Sequence, residues 1–325
     1  MLNRIREYSH NNKTTLKIFM VYFFLTFVIG YIDFDRRVFT FEQSTEKLKN
    51  IITGEVGAPL GRRILIPYTV DLFHKVTHIP LTYSYAFFRF IFFLLAFILF
   101  HIYLKMWFDD KRAMIGTLSV IASLPLFLTN WYCISSDMPN FIAFILGMMW
   151  IKKNQYKLLY ILIPIATFNK EATLALVLLY FLYGIGREKP LILIRRTIIY
   201  GLLWAIPFGI MIAMVGFEKF SNFVTLEHNV AGLLHVFKNP NPYNHYYFLL
   251  YLCGFYWILA FMDFHKKDPL LKRSVIVMIL YFLYVFIRVS AINETRIFMP
   301  FYVFVIPLGL SSLFTEGKKR VKQNA

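Results

Sequence analysis

Charge is what this sequence has least of, and acidic charge is the scarcer kind: 18 Asp and Glu stand against 35 Lys and Arg, and only 16% of residues are charged. A soluble globule of 325 residues cannot bury a composition that is 58% hydrophobic and 19% aromatic, so lipid must solvate much of it. Cysteine is nearly absent as well. Cys133 and Cys253 are far apart and match no metal or redox spacing, so a disulfide framework and a CxxC centre are excluded and both are expected as inert thiols. The eight histidines form no convincing zinc set. No internal repeat is visible, which argues against a transporter built from paired halves. The net charge of +17 is not gathered on one stripe, so a nucleic-acid partner is excluded.

What the sequence does contain is a series of long apolar runs with basic residues at their ends. Candidate spans cover residues 16–32, 82–107, 113–129, 139–151, 158–168, 172–186, 197–215, 246–262, 274–290 and 298–315. The fold class expected is therefore an all-α polytopic membrane protein of about ten transmembrane helices, with residues 1–325 as one integral membrane domain. The fifth and sixth runs are the weakest and read as a helix pair that stops partway or as one broken element. Residues 1–16 are polar and basic, and the run after them leads into Asp33-Phe34-Asp35-Arg36-Arg37 rather than a small-residue cleavage site. It is expected to stay as the first helix.

Placing both termini in the cytoplasm puts about two thirds of all Lys and Arg on the cytoplasmic side, as the positive-inside bias requires. The cytoplasmic connections are then short and basic, with no room for a soluble catalytic domain. Most acidic residues fall on the outer side, in a first loop at 33–81, a second at 216–245 and three short connections. Chemistry, if there is any, is expected at the extracytoplasmic face. Residues 41–53 and 64–79 read as amphipathic helices, the first broken by Gly54 and Gly57.

Five short clusters meet on that face. Asp33 and Asp35 share one side of an extended segment, which suits a general base or a pair of ligands for a divalent metal such as Mg or Mn. Arg62 and Arg63 offer guanidinium forks that match phosphate oxygens. Asp137 begins the fourth span, where capping is an equal explanation. Lys170 and Glu171 lie in the connection Asn169-Lys170-Glu171 between two apolar runs, where ionisable groups are costly unless paired or functional. Glu294 and Arg296 precede the last span. Arg89, within the second span, is expected to snorkel toward an interface.

Carboxylates supply a base and cations stabilise a departing phosphate. With Asp33-Phe34-Asp35, Gly61-Arg62-Arg63-Ile64-Leu65-Ile66-Pro67, Ser136-Asp137-Met138-Pro139, Asn169-Lys170-Glu171 and Glu294-Thr295-Arg296 in this order, the chain resembles the GT-C-type membrane glycosyltransferases of the bacterial cell-surface glycopolymer-forming group. That resemblance implies inverting transfer from a polyprenyl-phosphate-linked sugar to a glycan or lipid-linked acceptor, outside the bacterial cytoplasmic membrane. It implies Asp35, Asp33 or Asp137 as the catalytic carboxylate and Arg62, Arg63, Lys170 and Arg296 around the donor phosphate. Glu171 and Glu294 are supporting residues in this reading. Competing readings are a glycan polymerase or ligase and a transporter or flippase.

Overall fold

The computed structural model of the chain describes residues 2–35, 41–57, 60–130, 135–216, 226–238, 252–289 and 295–314. No strand occurs among the described residues. In chain order the helices are α1 (Leu2–Asp35), the amphipathic pair α2 (Phe41–Ile52) and α3 (Leu65–Thr77), then α4 (Leu81–Leu104), α5 (Asp110–Asn130) and α6 (Asp137–Lys152). They continue as α7 (Leu159–Asn169), α8 (Leu174–Gly184), α9 (Pro190–Val215), α10 (Leu226–Lys238), α11 (Tyr256–Phe261), α12 (Pro269–Tyr284) and α13 (Phe301–Leu313).

Sequence chemistry sets the ends of these helices. The Asp268 side chain accepts from the Leu270 N–H at 2.9 Å and Pro269 opens α12, while Pro190 opens α9, seven residues before the expected span. His78 closes α3 in the left-handed conformation, and Pro80 precedes α4. Inside α13, Pro307 has no N–H to offer the carbonyl of Val303. The Tyr103 hydroxyl donates to that oxygen instead, at 2.6 Å.

Among the described residues, four segments are long and apolar enough to cross a membrane: Thr15–Asp33, Leu81–Leu104, Pro190–Val215 and Pro269–Ile287. Apolar α7, α8 and α13 have only 11, 11 and 13 residues, where a straight crossing takes about 20. The difference follows from position. On α9, Leu191, Ile194, Ile198, Leu202 and Ile206 are exposed, an apolar stripe of the kind that lipid covers. In α13 every residue from Phe301 to Leu310 is buried, so its length is matched to neighbouring protein rather than to a bilayer. Gly309 lets α11 close on it, for a Cβ there would meet Tyr256 at 2.4 Å.

The expected weak pair, 158–168 and 172–186, is two antiparallel helices. The rings of Tyr156, before α7, and Tyr180, late in α8, lie 5.2 Å apart, so the junction at Lys170 forms an apex. The bundle thus has two ends. At the apex end lie α2, α3, the first turn of α6 and residues 169–173. At the other, which we call the basic end, Lys152 pairs with Asp268, and Arg273 donates to the carbonyls of Leu182, Tyr183 and Ile185. The amphipathic helices expected at 41–53 and 64–79 are present, and Leu48, Ile66 and Val70 pack with Tyr85 of α4 in a small core of their own. The long loop expected at 216–245 contains α10, which the sequence reading left without structure.

Candidate functional site: a buried cationic cluster at the head of an apolar cavity

The site begins with the turn that delivers Arg63. A Cβ on Gly61 would lie 2.0 Å from the carbonyl oxygen of Val56, so only glycine lets the chain pass there. Arg62 and Arg63 follow with different partners. Arg62 Nη2 donates to the carbonyl of Gly216, at the end of α9, at 3.1 Å. Arg63 lies toward the apex, with Nη2 3.9 Å from Glu171 Oε1.

Asp137, in the first turn of α6, occupies the centre. Lys170 Nζ donates to its Oδ1 at 2.9 Å, and Arg296 Nη1 stands 3.7 Å from its Oδ2. The Lys170 and Asp137 side chains are 3% and 0% exposed. Asn169 fixes the apex to α6 by donating to the Ser136 carbonyl at 2.9 Å, and Trp204 of α9 donates to the Glu171 carbonyl at 2.9 Å. Lys47 of α2 lies close enough to be affected by the same charge: partial burial, and then the positive charge of Arg296, lower its pKa.

Charges this far from water are stable only when paired or hydrogen-bonded. Asp137 is accounted for in this way, but Arg63 is not. Arg63 is 8% exposed, yet its Nε and Nη1 are buried and meet no acceptor among the described residues. Two guanidinium donors thus lack a partner at the head of a cavity of about 300 Å³. Lys170 and Glu171 share that head, and the remaining walls are mostly apolar, with Leu174 and Leu178 of α8, Phe208 of α9 and Tyr281 of α12 among them. The arrangement can receive an anion attached to an apolar chain.

Of the carboxylates expected to act, Asp33 is buried and paired with Arg89 of α4. This corrects the reading of Arg89 as a snorkelling residue: it is a buried counter-ion, and its Nη1 also donates to the Tyr85 hydroxyl at 2.9 Å. α1 is helical through Asp35, so Asp33 and Asp35 do not share one side as they would on the extended segment expected there. Among the described residues no group of three or more His, Cys, Asp or Glu could hold a metal. The side chain of Asp35, and Glu294 altogether, lie outside the described residues. Glu171 is the one carboxylate among the described residues that lines the cavity, and its side chain is 30% exposed.

Structure therefore brings together Arg63, Asp137, Lys170, Glu171 and Arg296, and places Arg62 against the end of α9 and Asp33 against α4. Trp204 and Tyr281 were missed, because in sequence they read as ordinary membrane aromatics. Only the folded arrangement of α8, α9 and α12 gives them a role. No protein-family model matches the chain, and no curated protein or solved structure matches it either.

Proposed function

We propose that the protein is an inverting glycosyltransferase that takes its sugar from a polyprenyl-phosphate-linked donor at the outer face of a bacterial cytoplasmic membrane. The observation that carries this reading is the pair of unsatisfied donors on buried Arg63, beside Lys170, at the polar head of an apolar cavity. A phosphate accepts from a guanidinium fork and from an ammonium, and a polyprenyl chain needs an apolar channel. Ten spans with both termini inside remain part of the proposal.

In the reaction, an acceptor hydroxyl attacks the anomeric carbon opposite the phosphate. The bond from that carbon to the phosphate oxygen breaks, and its electron pair leaves with the phosphate, whose charge Arg63 and Lys170 stabilise. The hydroxyl proton passes to a carboxylate, which we assign to Asp35, with Glu171 as the competitor already at the cavity. Asp137 acts as the fixed anion that holds Lys170 and Arg296 in place. A flippase would also use a cationic, chain-lined cavity, and the assay must separate the two.

The test follows release of free polyprenyl phosphate from monosaccharide donors by purified full-length protein with candidate acceptors. Wild-type release that Asp35→Asn abolishes and Glu171→Gln retains supports the reading with Asp35 as base. The reverse moves the base to Glu171. Folded protein that releases nothing, yet moves lipid-linked glycan across a vesicle membrane, overturns the transferase.

A further inference from the structure

Below its polar head, the cavity at Arg63 has the form of a trough. Ala175 and Leu178 of α8, with Ala172 just before that helix, make the floor. α9 and α12 both pack against α8 and supply the walls. Trp204 and Phe208 stand four residues apart on one face of α9, and Val277, Leu280 and Tyr284 follow one face of α12. Both walls belong to segments long and apolar enough to cross a membrane. Leu280 and Tyr284 line the trough and are nevertheless 46% and 58% exposed, so its rim lies on the outer surface of the bundle, where apolar groups meet lipid.

The walls are fixed at the polar end. Trp204 donates to the Glu171 carbonyl at 2.9 Å, and the Tyr281 hydroxyl donates to the Ile297 carbonyl at 3.1 Å. The Trp204 and Phe208 rings stack with centroids 4.9 Å apart, which gives that wall a flat apolar surface. From Glu171 to Leu178 the floor runs about 10 Å at the helical rise. Space above it exists because Ala172 and Ala175 stop at Cβ, where the other apolar lining residues are leucine, isoleucine, valine or aromatic. A volume of about 300 Å³ over one row of one helix is room for one hydrocarbon chain and not for two side by side.

We propose that this trough takes a single-chain lipid phosphate sideways from the bilayer, and that Ala175 is the residue that selects it. The phosphate meets the unfilled donors of Arg63, and the chain segment next to it lies over Ala175 between α9 and α12. The prenyl nature of that chain rests on the transferase reading; the route, the single chain and the selecting residue do not. A floor of about 10 Å is short beside a polyprenyl tail, so the remainder of the chain stays among lipid and its length is not read.

The test uses full-length protein in neutral detergent and farnesyl phosphate carrying a diazirine in the isoprene unit nearest the phosphate. After irradiation, adducts are mapped by peptide mass spectrometry. They are expected on α8 around Ala175 and Leu178 and on the facing walls at Phe208 and Leu280. Long polyprenyl phosphate should suppress labelling as well as unlabelled farnesyl phosphate does, whereas phosphatidic acid, with two chains, and inorganic phosphate should each need roughly thirtyfold more. Ala175→Phe fills the trough and should lower labelling about tenfold or more at an unchanged thermal midpoint. Should that variant fail to fold, Leu280→Trp, at the exposed rim, should lower it several-fold. Adducts elsewhere, phosphatidic acid or inorganic phosphate competing equally, or full labelling of whichever variant folds overturns the proposal. Trough labelling without polyprenyl phosphate release from any donor overturns the transferase and leaves this inference standing. Release with adducts elsewhere does the reverse.

Discussion

At the basic end Lys105 meets Asp110 at 2.7 Å with both side chains 46% exposed, whereas at the apex end Lys170 meets Asp137 at 2.9 Å with both out of water. The two contacts have nearly the same length and very different energetics. An exposed pair is screened and contributes little, while a buried pair exchanges two large desolvation penalties for one strong attraction. The basic end can therefore lose a charge with little consequence, Lys267 apart. The apex end cannot, because Asp137 is shared by Lys170 and Arg296, and Arg63 stands beside it with donors unfilled. An excess of buried positive charge has a use only if something negative arrives.

The sharpest way to break this comparison is to remove Arg63. Arg63→Met should lower polyprenyl phosphate release about a hundredfold, the usual result of deleting one donor to developing charge. Its thermal midpoint should stay level or rise, because two unsatisfied buried donors go with it. A loss of stability in step with activity would show Arg63 to be structural.

The next test compares one substitution at each end. Asp137→Asn leaves Lys170 and Arg296 buried without their anion and should destabilise the protein by about 3–5 kcal/mol. Asp268→Asn keeps a good helix cap and loses only the pair with Lys152, so about 1 kcal/mol or less is expected from chemical unfolding in detergent. Equal effects would remove the distinction between the ends.

The smallest effect concerns pH. The hydrogen bond from Lys105 lowers the pKa of Asp110 below its ordinary 3.8 in the folded protein. A carboxylate lowered in this way adds stability above its unfolded value, and loses it as pH falls through its folded value. Asp110→Asn should therefore lie slightly below wild type in thermal midpoint near neutral pH, and the gap should close below pH 3.8. A gap that widens on acidification would reverse the assignment.

Much of the bundle was legible in the sequence because hydropathy reports which segments avoid water. Most of the ten apolar runs coincide with helices; α2 showed through the spacing of Leu48, Ile51 and Ile52, and α3 through the prolines at 67 and 80 that bound it. Hydropathy is silent on whether a run meets lipid or protein, so α7, α8 and α13 could not be told from full crossings. The apex was legible for a different reason: Lys170 between two apolar runs is costly anywhere, and that alone marks it. Arg89 carried the same mark but was misread, because its partner Asp33 lies 56 residues earlier and only the packing of α1 on α4 brings them together. The helix at 226–238 lies inside a stretch that in sequence read only as a long outer loop.

Composition and charge placement by themselves determined that this chain is helical and apolar enough to belong in a membrane, since transfer free energy is summed residue by residue. They also picked out Arg63, Asp137, Lys170, Glu171 and Arg296, because each is a charge set beside hydrocarbon. Only the tertiary structure decided which of those charges neutralise one another, which faces a cavity, and that a further buried cation, Lys267, lies at the other end among neutral acceptors. Pairing depends on distance and on exclusion of water, and those are properties of the packed helices rather than of the order of residues along the chain.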